Sequence, residues 1–586
     1  MCGIYGCCQR AKAAKSAIGG LEKLEYRGYD SAGIAFLEGE KIEIIKSVGK
    51  VSNLKEKVGE RVSNLAIAHT RWATHGKATT LNCHPHTSKN FIIVHNGIIE
   101  NFKELKSTAS EDFYSETDSE VIAKVLEKNF ENLTEIKDVN ERILNSISKT
   151  QNQLVGSWAV ILICRNNPSK IYAFKNKSPL IVAKGKGENF VASDINAFEK
   201  REKNLLKYYN LNNGNIAEIS RENVCFYDEK LNKIGIKEIK KQCEIYQENC
   251  NFKHKMLKEI NEIPEAIYST KKYIKKSDFK KLSKKLKNYS KITIVGCGTA
   301  YHAGLYGKFI LEKYLNKNVS VELASEFRYK TQIKEANELV LAISQSGETA
   351  DTLAAIEIAK KNGAETAAIT NVCSSSITRI CDYVLLTHAG AEVAVAATKS
   401  YVCQILALYM LASSAAEKRI FRSLENVAHK AILNFSLENL KEFLGIKKFF
   451  FIGRLCDSAT ASEGALKLKE IAYVHSEGYP AGELKHGTLS LVDENSLVIA
   501  IITQSEILDK TLNAVHEVRA RGAKVLIVSQ FNLEGEGKEV LLPRAREEIM
   551  PLISVLPLQL FAYHYSDKNG LNPDMPRNLA KSVTVE

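Results

Sequence analysis

The strongest constraint on this chain is a repeat inside it. KITIVGCGTAYHAG at 291–304 aligns with KFFFIGRLCDSATA at 448–461, which lays Gly296 over Gly453 at an offset of 157. ASEFRYK at 324 lies over AGELKHG at 481 at the same offset. SQSGETADTL at 344 matches TQSEILDKTL at 503, and KNGAE at 361 matches ARGAK at 520, both at 159. An offset that changes by only two residues over such a span marks a duplicated domain. Each copy reads as strand, glycine turn and long helix in succession, the grammar of an α/β fold built on a parallel sheet. Two doubly wound lobes are therefore expected, at 285–430 and 440–570.

The 586 residues are too many for one core, and roughly three to four domains are expected. Residues 1–235 read as strands and turns with two helical interruptions, in segments such as FIIVHNGIIEN and SWAVILICRNN. Residues 236–284 read as a helical, basic linker, and 571–586 as a C-terminal tail. The net charge of +13 raises the question of nucleic acid. Its densest part, 269–291, carries ten lysines against one aspartate, but Phe279, Leu282, Leu286 and Tyr289 form an apolar stripe at helical spacing. The lysines then decorate the wet face of an amphipathic helix, and no nucleic-acid module accompanies them. The longest apolar runs, such as SLVIAII at 496–502, fall short of the roughly 18 residues a membrane helix needs. Thirteen cysteines without a regular framework and no basic-then-apolar leader point to reduced thiols and a cytoplasmic protein, with no membrane partner.

Two places carry chemistry on their own terms. Gly296 and Gly298 imitate a dinucleotide fingerprint, but Tyr301 stands where its third glycine belongs, and no cofactor is expected. SQSGET at 344–349 closes an apolar strand and opens a helix. There Ser344, Ser346 and Thr349 offer hydroxyls and the helix N-terminus offers N–H groups to a sugar phosphate. The second copy, TQSEIL, loses the glycine and the counterpart of Thr349, so only the first lobe is expected to bind phosphate. The other place is Cys2. Removal of Met1 would give one residue both a thiol and an α-amine titrating roughly at pH 8, a nucleophile with its own base. Five of the 13 histidines (His69, His75, His84, His86 and His95) crowd into 27 residues, but CHPH at 83–86 lacks zinc-type spacing, and no metal is expected.

MCGI, EYRGYDSAG, HTRWATHG, HPH, VHNGIIEN and ETDSE together resemble a class II glutamine amidotransferase domain. GCGTA, SQSGETADTL, EGALKLKE, GELKHG and NLAKSVTVE resemble the sugar-isomerase lobes of the glutamine–fructose-6-phosphate aminotransferase (isomerising) family. The resemblance runs the full length in order. It implies an N-terminal-nucleophile αββα sandwich followed by the two lobes, substrates glutamine and fructose 6-phosphate, a homodimer, and ammonia passed between the two sites. In its light Cys2 attacks the glutamine amide and Asn96 and Gly97 hold the oxyanion. Arg71 binds the α-carboxylate, Asp118 the α-ammonium, and Trp72, Thr74 and His75 close over the substrate. In the second half Thr299, Ser344, Gln345, Ser346, Thr349, Val395, Glu463 and Lys467 hold the sugar phosphate. Glu470 moves the proton between the first two carbons, His486 opens the ring, and Lys581 forms a Schiff base with the ketone. A neutral Lys581 is expected from burial or from cations such as Lys467 or Lys485.

Spacing alone puts Glu463, Lys467 and Glu470 on one helix face, which a surface ion pair of roughly 0.3–0.5 kcal/mol would also explain. The chain departs from the family pattern at Ala300 and Ala397, where serine is usual, which leaves substrate preference less fixed than reaction type. Related glutaminase halves feed ammonia to phosphoribosyl pyrophosphate or to ATP-activated aspartate, but the loops those partners need are missing. A sugar-phosphate-sensing binding protein would have no use for Cys2, Glu470 or Lys581.

Overall fold

The computed structural model describes residues 2–72, 76–107, 112–198, 206–239, 251–331, 337–436 and 441–584. They form two compact units, Met1–Gln242 with Ser582–Glu586, and Cys243–Lys581.

In the first unit, strands with apolar residues on both faces are stacked so that each face finds a core. On the strand Gly3–Cys8, Tyr5 and Cys7 join a cluster with the helices Ala13–Leu24 and Val51–Val58, while Ile4 and Cys8 join another. That second cluster also takes Ile92 and Val94 of Phe91–Ile99, whose alternate residues Phe91 and Ile93 pack instead with Ile122, Leu126, Ile143 and Ile147. These last belong to the helices Glu120–Glu131 and Val139–Gln153. The period of two in each strand thus divides the unit into helices, sheet, sheet, helices. Among the described residues the sheets have eight and seven strands, and their pairings are antiparallel. The αββα sandwich is as expected. The helices are more numerous than the two interruptions read from the sequence: Ala13–Leu24, Val51–Val58, Phe102–Ser107, Glu120–Glu131 and Val139–Gln153 are present among the described residues. Val51–Val58 buries only Val51, Leu54 and Val58, so its periodic signal is three residues long.

Among the described residues of the second unit the repeat becomes two five-stranded parallel sheets of one topology. The first runs Asn318–Leu323, Lys291–Gly296, Glu338–Ile343, Glu365–Thr370, Tyr383–Leu386. The second runs Ser476–Pro480, Lys448–Gly453, Ser496–Ile502, Lys524–Ser529, Lys538–Leu541. In both, the second strand in sequence lies outside the first, so the order reverses at the first strand, the place where doubly wound sheets bind ligands. The lysine-rich stretch is no free linker from residue 255 onward. Its helices Lys255–Asn261, Ile263–Tyr273 and Phe279–Lys285 bury Met256, Ile260, Ile263, Ile267, Phe279 and Leu282 in the core of both lobes. Leu286 and Tyr289 complete the apolar stripe, and Lys280, Lys281, Lys284 and Lys285 are exposed.

Candidate active sites

Pairing of Gly3 with Thr70 in the first sheet brings Cys2 beside the end of the strand Leu65–Arg71. The Trp72 N–H donates to Cys2 Sγ at 3.4 Å, and Asn96 Nδ2 donates to the Cys2 carbonyl at 2.8 Å. Gly97 follows at φ +144°, where a Cβ would come within 2.0 Å of the Ser157 carbonyl, so only glycine fits this bend. Asp118 is buried and accepts the Ile99 N–H at 2.8 Å. Buried Arg71 donates to the Lys77 and Gly76 carbonyls at 3.1 and 3.0 Å, fixing the loop that follows the strand. Cys2, Arg71, Trp72, Asn96 and Asp118 thus converge, while Thr74 and His75 lie outside the described residues. Burial pushes the Cys2 thiol up, with the Trp72 N–H and Arg71 partly opposing it.

Behind this cluster His69, His84, His86 and His95 are buried. The His69 and His84 rings lie 3.8 Å apart, His69 Nε2 is 3.0 Å from the His95 carbonyl, His95 Nδ1 is 2.8 Å from Ser119 Oγ, and His86 Nε2 is 3.0 Å from Thr117 Oγ1. Burial lowers all four, so they are neutral rings that brace the segment carrying Asp118. Among the described residues no three His, Cys, Asp or Glu side chains are grouped to hold a metal ion.

In the first lobe, SQSGET joins Glu338–Ile343 to the helix Ala350–Lys361. Gly347 N–H donates to Ser344 Oγ at 3.0 Å, Glu348 N–H to Ser346 Oγ at 3.2 Å, and Ser344 Oγ lies 3.2 Å from Thr349 Oγ1. The Gln345 carbonyl accepts Asn371 N–H at 3.1 Å. Gly347 has φ +65°, and a Cβ there would meet Ser375 Oγ at 2.2 Å. Thr349 stands at the N-cap without a side-chain capping bond, so a plain hydroxyl cap does not account for the motif. The second lobe fills the matching place with its own acids. Asp457 accepts Thr503 N–H at 2.8 Å and Thr503 Oγ1–H at 2.5 Å, and Glu547 accepts Ser505 N–H at 3.0 Å.

The Glu463, Lys467 and Glu470 face is buried rather than superficial. Lys467 Nζ lies 3.4 Å from Glu463 Oε1 and 2.6 Å from Glu470 Oε2, with the Lys467 and Glu463 side chains 0% exposed. Thr299 Oγ1, from the first lobe, donates to Glu463 at 3.0 Å and accepts from Lys467 at 3.0 Å. His302 Nδ1 lies 2.8 Å from the other Glu463 oxygen. A solvated ion pair is excluded, because a buried ion pair persists only where further hydrogen bonds satisfy it. Burial raises the Glu470 carboxyl, against the pull of Lys467, which suits a proton-transfer group. Lys581 reaches the same unit's interior, its side chain 6% exposed, with Nζ 2.5 Å from Glu392. The expected cations are not its partners: Lys467 is held by Glu463 and Glu470, and Lys485 by Glu517 at 2.7 Å. Val395 N–H donates to the Asp574 carbonyl at 3.2 Å. His486 ends the short turn Ala481–His486 with its side chain exposed and is not joined to this cluster. Glu392, His302 and Asp457 escape a search by motif. The signal for Glu392 was an acid inside the small apolar run AGAEVAVAAT.

Two family models match the chain: the glutamine amidotransferase domain over residues 73–200, and the SIS domain over 285–414 and again over 442–566. A glutamine–fructose-6-phosphate aminotransferase (isomerizing) from Caldanaerobacter subterraneus subsp. tengcongensis is 43% identical, with 100% of each chain covered. One from Aquifex aeolicus is 42% identical with the same full coverage. Among solved structures, the C-terminal domain of glucosamine-fructose-6-phosphate aminotransferase from Francisella tularensis superposes with a TM-score of 0.52 at 36% identity, covering 56% of this chain and 99% of that one.

Proposed function

The chain belongs to the glutamine–fructose-6-phosphate aminotransferase (isomerizing) family, and from that premise we propose how its residues divide the work. The enzyme moves the amide nitrogen of glutamine to fructose 6-phosphate, giving glucosamine 6-phosphate and glutamate. Cys2, freed of Met1, attacks the amide, and its α-amine takes the thiol proton that burial otherwise retains. Asn96 and the Gly97 N–H stabilise the oxyanion, Arg71 and Asp118 hold the two charged ends of glutamine, and Trp72, Thr74 and His75 cover it.

In the second unit Ser344, Gln345, Ser346 and Thr349 take the phosphate, with Thr299, Val395, Glu463 and Lys467 along the sugar. Lys581 captures the ketone at the second carbon as a Schiff base, His486 moves the ring-oxygen proton, and Glu470 shuttles the proton between the first two carbons. Ammonia passes from one site to the other without entering bulk water. The enzyme works in the cytoplasm as a homodimer, without nucleic acid, membrane, metal or cofactor.

The observation that carries this reading is the buried Thr299–Glu463–Lys467–Glu470 network joining the two lobes. An acid and a base are held there at a topological switch point that offers a phosphate loop on one side only. Incubation with both substrates, with glutamate and amino sugar measured separately, tests it. Glutamate without amino sugar, at any concentration of fructose 6-phosphate, would overturn it.

A further inference from the structure

Beside Lys581 stands a buried acid that this scheme leaves unused. The Glu392 side chain is 0% exposed. Its Oε1 accepts the N–H groups of Thr398 and Ser400 at 2.9 and 3.0 Å, and its Oε2 accepts Ser400 Oγ–H at 2.7 Å and Lys581 Nζ at 2.5 Å. Burial pushes the group up, but Lys581 and Ser400 more than reverse this and hold it below the usual carboxylate range.

The loop bearing Glu392 is pinned from two directions. Glu259, on the helix Lys255–Asn261, accepts the Val393 and Ala394 N–H groups at 2.6 and 3.2 Å. Asp574, in the segment leading to Lys581, accepts the Lys255 and Met256 N–H groups at 2.8 Å each, while its carbonyl takes the Val395 N–H. The lysine-rich segment, the loop and the tail therefore meet around one ion pair.

The charges near that pair are few. Burial and the charge of Glu392 raise Glu259, which leaves it a neutral acid. Lys399 is taken up by Glu262 at 2.7 Å, and besides Glu392 both Glu259 and Glu470 feel the charge of Lys581.

We propose that Glu392 is the counter-ion of the Lys581 Schiff base, positioning the ammonium before the sugar arrives and keeping the iminium protonated afterwards. The proposal rests on Lys581 being the Schiff-base lysine. The charge balance explains why one fixed anion serves both states. When Nζ bonds the second carbon of the open sugar, two of its three protons leave with the carbonyl oxygen as water. Nitrogen ends with one proton, a double bond to carbon and the same single positive charge. An iminium is the form that ammonia can attack; a neutral imine is a poor electrophile.

Glu392→Gln keeps the shape and the acceptor oxygen but removes the charge, so ammonium and iminium both lose their protons more readily. Full-length wild type, Glu392→Gln and Glu392→Asp are each reduced with borohydride in the presence of fructose 6-phosphate across a pH series. The label is then mapped by peptide mass, and circular dichroism with a urea unfolding transition matching that of wild type reports that each preparation is folded. The expected result is a label on Lys581 whose alkaline limit lies lower in Glu392→Gln by about one to three pH units, the span a nearby opposite charge controls. Glu392→Asp, which keeps the charge, labels less fully but retains the wild-type limit. If Glu392→Gln does not fold, Glu392→Ser removes the charge in its place, with the same lowered limit expected and the same refutation if the limit stays. Lys581 labelled in all three with the Gln limit unmoved, or an Asp limit that moves, overturns the counter-ion. Wild type with no label on Lys581 overturns the Schiff-base reading itself.

Discussion

Gly298 and Leu455 hold one backbone conformation, φ 54° and ψ −124° against φ 53° and ψ −127°. Each stands at the N-cap of a 17-residue helix, Thr299–Leu315 and Cys456–Ala472, and the helices end alike on Asn316 and Tyr473 in the left-handed region. The duplicated lobe has kept a turn shaped for glycine after losing the glycine. A leucine there costs on the order of 1–3 kcal/mol of strain, and its side chain, 57% exposed, recovers little by burial. Glycine loses about 0.5–1 kcal/mol more chain entropy on folding. Leu455→Gly should therefore raise stability by about 1 kcal/mol, read as a later urea midpoint. A lower midpoint would show that the turn is not strained.

Asp457 gives the second lobe a pH dependence. Burial, helped by Glu547, pushes its carboxyl up to about 7, against the two hydrogen bonds from Thr503. Between the ordinary carboxylate range and that value the folded chain keeps a proton that the unfolded chain releases, so stability falls as pH rises through this window and levels off above it. The accumulated loss is on the order of a few kcal/mol. Asp457→Asn cannot ionise, so its advantage over wild type should be small at pH 5 and larger at pH 8. Parallel urea midpoints at both pH values would refute the assignment.

The repeat made the lobes legible, because a helix and strand pattern that recurs at a fixed offset over many residues comes from duplication and hardly ever from chance. SQSGET was legible for the same reason: strand, hydroxyls and helix start in one short run. The Glu463–Lys467–Glu470 face was legible as a face but not as buried, since helical spacing gives direction and not depth. What covers it, Thr299 and His302, comes from 160 residues away. Glu392 and the four histidines belong to the same class: their meaning lies in which distant polar atoms reach them, and a sequence gives neighbours only along the chain.

For the glutamine site, Cys2→Ala should lower glutamine hydrolysis by a factor on the order of 10⁴ or more, as loss of a nucleophile does. Fructose 6-phosphate should still protect Lys581 or be trapped on it, because no group of that site is touched. Intact mass should show active protein beginning at Cys2. Full activity in protein that retains Met1 would remove the α-amine from the mechanism.

Trp72 meets Cys2 through its backbone, the N–H donating to Sγ at 3.4 Å and the carbonyl accepting from the thiol at 3.7 Å, so the indole takes no part in these two contacts. Ammonia released into water becomes ammonium and is lost to the sugar site, so a cover over the glutamine site is needed for coupling. Trp72→Ala should leave glutamine hydrolysis within a few-fold of wild type while amino-sugar formation falls well behind it. A ratio of glutamate to amino sugar that stays at unity would assign the indole to packing instead.

The tail offers the sharpest separation of the two half-reactions. A segment this near a chain end would ordinarily fray, yet Asp574 and Lys581 hold the stretch between them in the second unit through a helix N-terminus and a buried carboxylate. Lys581→Arg preserves the positive charge and can keep the ion pair with Glu392, but a guanidinium does not surrender a proton to become a nucleophile. Glutamine hydrolysis should persist near the wild-type rate while glucosamine 6-phosphate formation disappears. A variant that still makes the amino sugar at more than about a hundredth of the wild-type rate, a barrier change under roughly 3 kcal/mol, would mean that Lys581 only anchors the tail and that another group meets the ketone.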